Sequence, residues 1–371
     1  MSDNRIKPIV MPKWGLSMKE GKVTSWLAEE GTRIDVGKEI LEVETDKIAG
    51  VVEAADSGVL RRRVGTPDTV YPVKALLGVV ADDSVSDAEI DAYVSSYVAP
   101  AAEEGEEEAG PGHEFLDLPE GRIRYARRGS GPQNVILIHG FGGDLDNWLF
   151  NIDALAEGAT VYALDLPGHG QSGKTLADPT PAGLAKTLLA FAAALGIEQP
   201  HLVGHSLGGA IAIEAARQGG GKIRSLGLIS PAGLGAEIND DYIQGFVGAA
   251  SRRDLKPVVE NLFADPGKVT RQLVEDLLKY KRLDGVDAAL EALAAGSFKD
   301  GRQRALLADA LAKLGVPVLV VWGKEDKIIP AAHAGNAKGA KVEVIEGAGH
   351  MVQMEAAAKV NALLKEHLER A

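Results

Sequence analysis

Three side chains in the second half of the sequence have the types and surroundings of a nucleophile, an acid and a base. Ser206 stands in Gly204-His-Ser-Leu-Gly-Gly, after an apolar run ending at Val203 and before a helical stretch beginning near Ala210. A tight strand-to-helix turn lifts such a serine above a sheet, its glycines avoid clashes, and the helix N-terminus adds partial positive charge. A serine hydroxyl needs a base, and the base needs an orienting acid. Asp326 follows the apolar run Val316–Trp322 in Gly323-Lys-Glu-Asp, and His350 follows Lys341–Ile345 in Glu346-Gly-Ala-Gly-His. Both positions are loops at strand carboxyl ends, where catalytic groups gather in open α/β sheets. His139-Gly-Phe-Gly-Gly-Asp directly follows the run 134–138, so the backbone N–H groups of Phe141 and Leu207 are the expected oxyanion donors.

Other titratable residues are weighed against these. His205, inside the turn, is expected to support the loop, and His139 and His169 to brace neighbouring turns. His113, His201, His333 and His367 belong to no constellation. Glu325 and Asp144 are weaker rivals for the acid. The eight histidines lack zinc-type spacing and the chain has no cysteine, so no metal site, disulfide or thiol nucleophile is expected.

A fourth candidate lies near the other end. Lys47 falls in Leu41-Glu-Val-Glu-Thr-Asp-Lys-Ile-Ala-Gly, between two β-type runs where a tight hairpin belongs. A hairpin tip presents an amine to a modifying enzyme, but an ordinary surface lysine fits the same place.

The elements that position these residues divide the 371-residue chain in two. Residues 4–82 carry short β-type runs at Val23–Leu27, Glu39–Val43, Val51–Ala54 and Val59–Val64. Gly31-Thr32 is echoed at Gly65-Thr66, which suggests two half-units forming a flattened sandwich. The stretch 83–113 is acidic and small-residue-rich towards its end and reads as a linker, with Ile90, Tyr93, Val94 and Tyr97 able to form a short docking helix. From 114 to 371 near-continuous apolar runs alternate with Ala-rich helical stretches, the pattern of a mostly parallel sheet covered by helices. Residues 235–315 break the alternation and read as a helical cap. Arg252-Arg253 within it could meet phosphates, although a solvated helix face explains them equally.

Net charge is −13, with 45% hydrophobic and 25% charged residues, which disfavours nucleic-acid binding. No apolar run spans a bilayer and no secretory signal is visible, so a cytoplasmic location is expected.

Met11-Pro-Lys-Trp-Gly-Leu-Ser-Met, Glu30-Gly-Thr and Glu42-Val-Glu-Thr-Asp-Lys resemble, in order, the lipoyl domains of 2-oxo-acid-type dehydrogenase complexes. That resemblance implies lipoate in amide linkage on Lys47; biotinyl domains usually flank their lysine with methionine, whereas Asp46 and Ile48 stand here. The motifs around Ser206, Asp326, His350 and Phe141, with Asp165-Leu-Pro-Gly-His-Gly-Gln-Ser, resemble the α/β-hydrolase family, in which the Asp165 turn is structural. The combination resembles the dihydrolipoamide acetyltransferase components of acetoin dehydrogenase complexes. It implies transfer of an acetyl group from the lipoyl arm to coenzyme A in acetoin catabolism. Implied partners are a thiamine-diphosphate-dependent E1 enzyme, dihydrolipoamide dehydrogenase (E3) and further copies of the chain. A hydrolase with a tethered carrier, or a scaffold with a hydrolase-like module, are the alternatives.

Overall fold

The computed structural model describes residues 5–14, 18–45, 49–99 and 113–371. It divides into two compact units, Met1–Pro111 and Gly112–Ala371.

The first unit is built from eight strands: β1 (Ile6–Val10), β2 (Glu20–Trp26), β3 (Arg33–Ile34), β4 (Glu39–Glu44), β5 (Ala49–Glu53), β6 (Gly58–Arg63), β7 (Thr69–Pro72) and β8 (Leu76–Ala81). They form two antiparallel four-stranded sheets, ordered β1-β8-β6-β3 and β5-β4-β2-β7. Alternation along β4 turns Leu41 and Val43 inward, where they join Met11, Val23, Ile34, Leu60 and Leu77 in one core. Burying each such side chain contributes about 1.5–3 kcal/mol. Trp26 donates its indole N–H to the Gly65 carbonyl at 2.7 Å, tying one half-unit to the other. The β4–β5 pairing ends with Glu44 opposite Ala49, and the connection between them is residues 45–48. Lys47 belongs to that connection and lies outside the described residues.

Part of the stretch read as linker is helical: α1 spans Asp87–Ser96. Ser86 and Glu89 close a capping box at its start, and Ile90 is buried with Ile6, Val79 and Val85. Its acidic residues are answered from a strand, with Arg61 on Asp87 and Arg62 on Asp91, both at 2.9 Å. Residues 100–112 of the linker reading lie outside the described residues.

The second unit is centred on an eight-stranded sheet containing β9 (His113–Leu118), β10 (Gly121–Arg128), β11 (Gln133–Ile138), β12 (Ala159–Leu164), β13 (His201–His205) and β14 (Ser225–Ile229). A two-stranded ribbon, β15 (Phe298–Lys299) with β16 (Arg302–Gln303), stands apart. The large sheet is completed by β17 (Val318–Gly323) and β18 (Lys341–Ile345), in the order β18-β17-β14-β13-β11-β12-β10-β9. From β12 to β18 the neighbours run parallel, whereas β10 is antiparallel to both β9 and β12. The strand order reverses around β11, with β12 on one side and β13 on the other, so loops at the carboxyl ends of these strands open a crevice. Helices α2 (Ile152–Ala156), α3 (Pro181–Ala194) and α4 (Leu207–Gly219) follow the first strands. The region read as a cap holds α5 (Asp240–Gly248), α6 (Arg252–Glu260), α7 (Arg271–Lys281), α8 (Val286–Ser297) and α9 (Ala308–Leu311). The chain closes with α10 (Val352–Glu355) and α11 (Ala357–Arg370). Among the described residues, no helix is long and apolar enough to cross a membrane.

Candidate active site

Ser206 sits between β13 and α4 with φ 54° and ψ −119°, a conformation that side chains rarely adopt. Such a residue persists only where its surroundings over-determine it. Here the Ser206 N–H donates to Ile229 O at 3.0 Å, and the Ser206 carbonyl accepts from Gly209 and Ala232 at 2.9 Å each. Two glycines make the turn possible. A Cβ on Gly204 would lie 2.3 Å from Gly208 O, and one on Gly208 would lie 2.2 Å from Ile138 O. The small residues thus let α4 press against β11 and β13, with Ser206 raised above them.

Asp326 and His350 are brought together from the loops after β17 and β18. His350 Nδ1 lies 2.8 Å from Asp326 Oδ2, and both side chains are essentially buried. Oδ1 of Asp326 accepts the Ile328 and Ile329 N–H groups at 2.8 and 2.9 Å, while Oδ2 also accepts the Trp322 indole N–H at 2.9 Å. The carboxylate is therefore held without solvent and faces His350 Nδ1, the arrangement in which Nδ1–H donates to Asp326 and Nε2 is the ring nitrogen left over.

His205 links this pair to the serine turn. Its Nε2–H donates to the His350 carbonyl at 3.0 Å, and the two rings are 4.7 Å apart. Burial holds His205 well below the ordinary histidine pKa, with the neighbouring His350 adding to the effect. It is a neutral brace, as its place in the turn suggests. His139 and His169 behave likewise. His139 donates from Nδ1 to Gly140 O at 2.7 Å and accepts the Leu166 N–H at Nε2. His169 accepts the Gly142 N–H at 3.1 Å, and burial lowers both pKa values. Asp165 is committed elsewhere, bonded to Arg124, Leu145 N and Gln171 N.

The loop after β11 lies beside the nucleophile. A Cβ on Gly140 would stand 2.9 Å from Ser206 Cβ and 3.4 Å from its Oγ. Leu207 is the first residue of α4, whose N–H has no acceptor within the helix, and Phe141 lies in the loop after β11; these are the two amides expected as oxyanion donors. The Phe141 ring packs edge-on against Phe246 of α5 and Phe298 of β15, each 6.0 Å away. Helix α5 and β15 thereby pack on the loop after β11.

Glu355 was not singled out by sequence. Its carboxylate accepts the N–H of Gly349, next to His350, at 2.7 Å and that of Ala264, in the segment after α6, at 2.9 Å. Burial raises its pKa against the pull of these amides. A capping or clamping acid five residues after the histidine is a signal only once the fold brings residue 264 near. Arg252 and Arg253 lie exposed in the first turn of α6 and line an open hollow of about 450 Å³ with Lys256, Pro257 and Glu260. Among the described residues no cluster of three His, Cys, Asp or Glu could hold a metal.

Comparisons with known proteins agree with this architecture. The model for the alpha/beta hydrolase fold matches residues 133–357, and the biotin/lipoyl model, described as "Biotin-requiring enzyme", matches residues 7–69. The dihydrolipoyllysine-residue acetyltransferase component of the acetoin cleaving system from Cupriavidus necator is 57% identical, over 98% of this chain and 97% of its own. The component of the same name from Pseudomonas putida is 49% identical, over 98% and 100%. Among solved structures, a meta-cleavage product hydrolase from Pseudomonas fluorescens superposes with a TM-score of 0.64 at 23% identity. It covers 69% of this chain and 97% of its own, a likeness of fold. The chain belongs to the α/β-hydrolase fold family and, within it, to the lipoyl-bearing acetyltransferase components of acetoin cleaving systems.

Proposed function

We propose that this chain moves an acetyl group from a thioester on its own lipoyl arm, carried by Lys47, to the thiol of coenzyme A, by way of an acetyl-Ser206 intermediate. The observation that carries the reading is the union, on one chain, of a lipoyl-type unit with a hydrolase-fold unit in which Ser206 holds a strained strand-to-helix turn and His350 pairs with Asp326 at 2.8 Å, over the same length as in both relatives. The β4–β5 register supports Lys47 as the attachment point, because it leaves the lysine in a short connection between paired strands. Lipoate there would supply the dithiol that carries acetyl, a chemistry that a cysteine-free chain lacks.

Ser206 Oγ attacks the thioester carbonyl carbon as His350 Nε2 takes its proton. The Phe141 and Leu207 N–H groups hold the oxyanion. Collapse breaks the C–S bond, and His350 returns the proton to the leaving sulfur. His350 then takes the proton of the coenzyme A thiol, whose sulfur attacks the acetyl carbon, and Ser206 leaves with that proton. Asp326 keeps the imidazole oriented and stabilises its cationic form throughout. The same residues would also hydrolyse the intermediate, so the cap must limit water.

In this reading residues 4–82 are the carrier, 83–113 the tether, and 114–371 the transferase with its cap at 235–315. The enzyme works in the cytoplasm as a homo-oligomer with a thiamine-diphosphate-dependent E1 and dihydrolipoamide dehydrogenase. The test is to load acetyl on the reduced arm, add coenzyme A, and follow acetyl-CoA and acetate. Predominant acetyl-CoA, lost in Ser206→Ala and Lys47→Ala, is the expected result. Acetate formed regardless of coenzyme A would leave a hydrolase with a tethered carrier.

A further inference from the structure

We infer that Glu355 is a positioning residue whose carboxylate latches the cap segment Leu262–Ala264 to the loop carrying His350, and so sets how acetyl-Ser206 divides between thiol and water. The inference rests on the acyl-transfer reading above and adds a determinant of its specificity.

Three bonds fasten this short segment to both catalytic loops. Leu262 O accepts the Met351 N–H at 3.1 Å, directly after the histidine. Phe263 O accepts Lys327 Nζ at 3.2 Å, directly after Asp326. The Ala264 N–H donates to Glu355 Oε1 at 2.9 Å, while Oε2 of the same carboxylate accepts the Gly349 N–H at 2.7 Å. Backbone meets backbone here: a Cβ on Gly349 would stand 2.6 Å from Ala264 N, 2.8 Å from Phe263 C and 3.0 Å from Leu262 O. Phe263 and His350 are each 2% exposed, so the segment and the loop of the base close off solvent where they meet at Gly349 and Met351.

Lys327 ties the segment to the Asp326 loop, and Glu355 accepts from both the segment and the His350 loop. Bonds from N–H groups to a carboxylate are roughly twice as strong as neutral ones, and a buried donor left without its partner carries a desolvation penalty. The two donors lie 91 and 6 residues away in sequence, so the carboxylate fixes tertiary placement and contributes nothing to the four-residue α10 that carries it. Thiol and water compete for the same acetyl carbon with the same base. A coenzyme A thiol arrives with binding energy of its own, whereas water needs only an opening. Loosening this closure therefore favours acetate over acetyl-CoA, and it does so without removing any group that touches the reacting atoms.

The experiment uses the full-length lipoylated protein, loaded with acetyl and mixed with coenzyme A, as wild type, Glu355→Gln and Ala264→Pro. Glutamine keeps the volume but turns an NH₂ towards one of the two donors. Proline removes the cap-side N–H, and its ring carbon, standing where that hydrogen was, pushes the Glu355 carboxylate off the cap segment without changing the Glu355 side chain itself. Thermal unfolding and labelling of Ser206 by a fluorophosphonate confirm a folded, reactive site. The ratio of acetate to acetyl-CoA is expected to rise about tenfold in both variants, the effect of losing one charge-assisted hydrogen bond. Unchanged ratios, with turnover lowered in proportion for both products, would overturn the latch and leave Glu355 a structural residue. A rise in Glu355→Gln alone would overturn it too, because the cap end would then be idle. Wild type that yields only acetate would instead overturn the transfer reading itself, taking the partition role with it.

Discussion

Asp326 receives four N–H donors, from Trp322, Ile328, Ile329 and His350, and none of its side chain is exposed. Its substitution therefore separates orientation from folding. Asp326→Asn retains an oxygen for the Ile328 and Ile329 amides but turns an NH₂ towards Trp322 and His350. We expect kcat to fall by roughly 10²–10⁴ while KM changes little, as measured by steady-state transfer to coenzyme A. A second residue-scale expectation concerns acid. His201 is buried, bonded to Ser225 Oγ at 2.7 Å, and burial lowers its pKa to about 4. The unfolded chain protonates this ring near its ordinary value of 6.5, so between those limits the unfolded state binds more protons. Stability is accordingly full above pH 6.5 and declines as pH falls towards 4, by about 3 kcal/mol for this residue alone. His139, His169 and His205, all lowered by burial, act in the same direction. Urea unfolding across this range should show the slope, and His201→Asn should flatten it.

At the scale of elements, the serine turn depends on the absence of side chains more than on any contact. Gly208→Ala would place a carbon 2.2 Å from Ile138 O, forcing α4 away from β11. A loss of about 3 kcal/mol or more is expected, seen as a lowered unfolding temperature together with loss of Ser206 labelling. Helix α1 is held differently. Ile90 is fully buried between sheet residues, so Ile90→Ala should destabilise the first unit by about 2–5 kcal/mol. Arg62→Ala, which removes an exposed ion pair with Asp91, should cost under about 1 kcal/mol; thermal unfolding of both variants checks the contrast. These elements also show what a sequence discloses. The turn around Ser206 and the loops of Asp326 and His350 are legible, because each hangs on a local run of apolar residues ending in a glycine-rich loop. Helix α1 is legible through Ile90, Tyr93, Val94 and Tyr97, but its place in the body of the first unit was missed, since the arginines that balance Asp87 and Asp91 lie more than twenty positions earlier. The hairpin of β9 and β10 was missed as well: its exposed edge alternates charged residues such as Asp117 and Arg122 with few apolar ones. Glu355 could not be read at all, because its partner at Ala264 has no periodic relation to it.

For the molecule as a whole, the order of the parts is plain from the sequence, and the extent of each is not. The acidic character of the stretch 83–113 reads as one linker, yet α1 belongs to the body of the first unit through Ile90, Arg61 and Arg62. Only residues 97–112 separate that helix from β9. Cutting a tether from about thirty residues to about sixteen raises the concentration at which an attached group meets its target. With the −3/2 power of length, the gain is about threefold. If the arm and tether work as proposed, the docking of α1 makes it a dosing device, shortening the leash and strengthening the advantage of the enzyme's own arm over any free thioester in solution. Unpinning it with Ile90→Asp should make a free acetyl-dihydrolipoamide compete more effectively with the loaded arm, by about that factor.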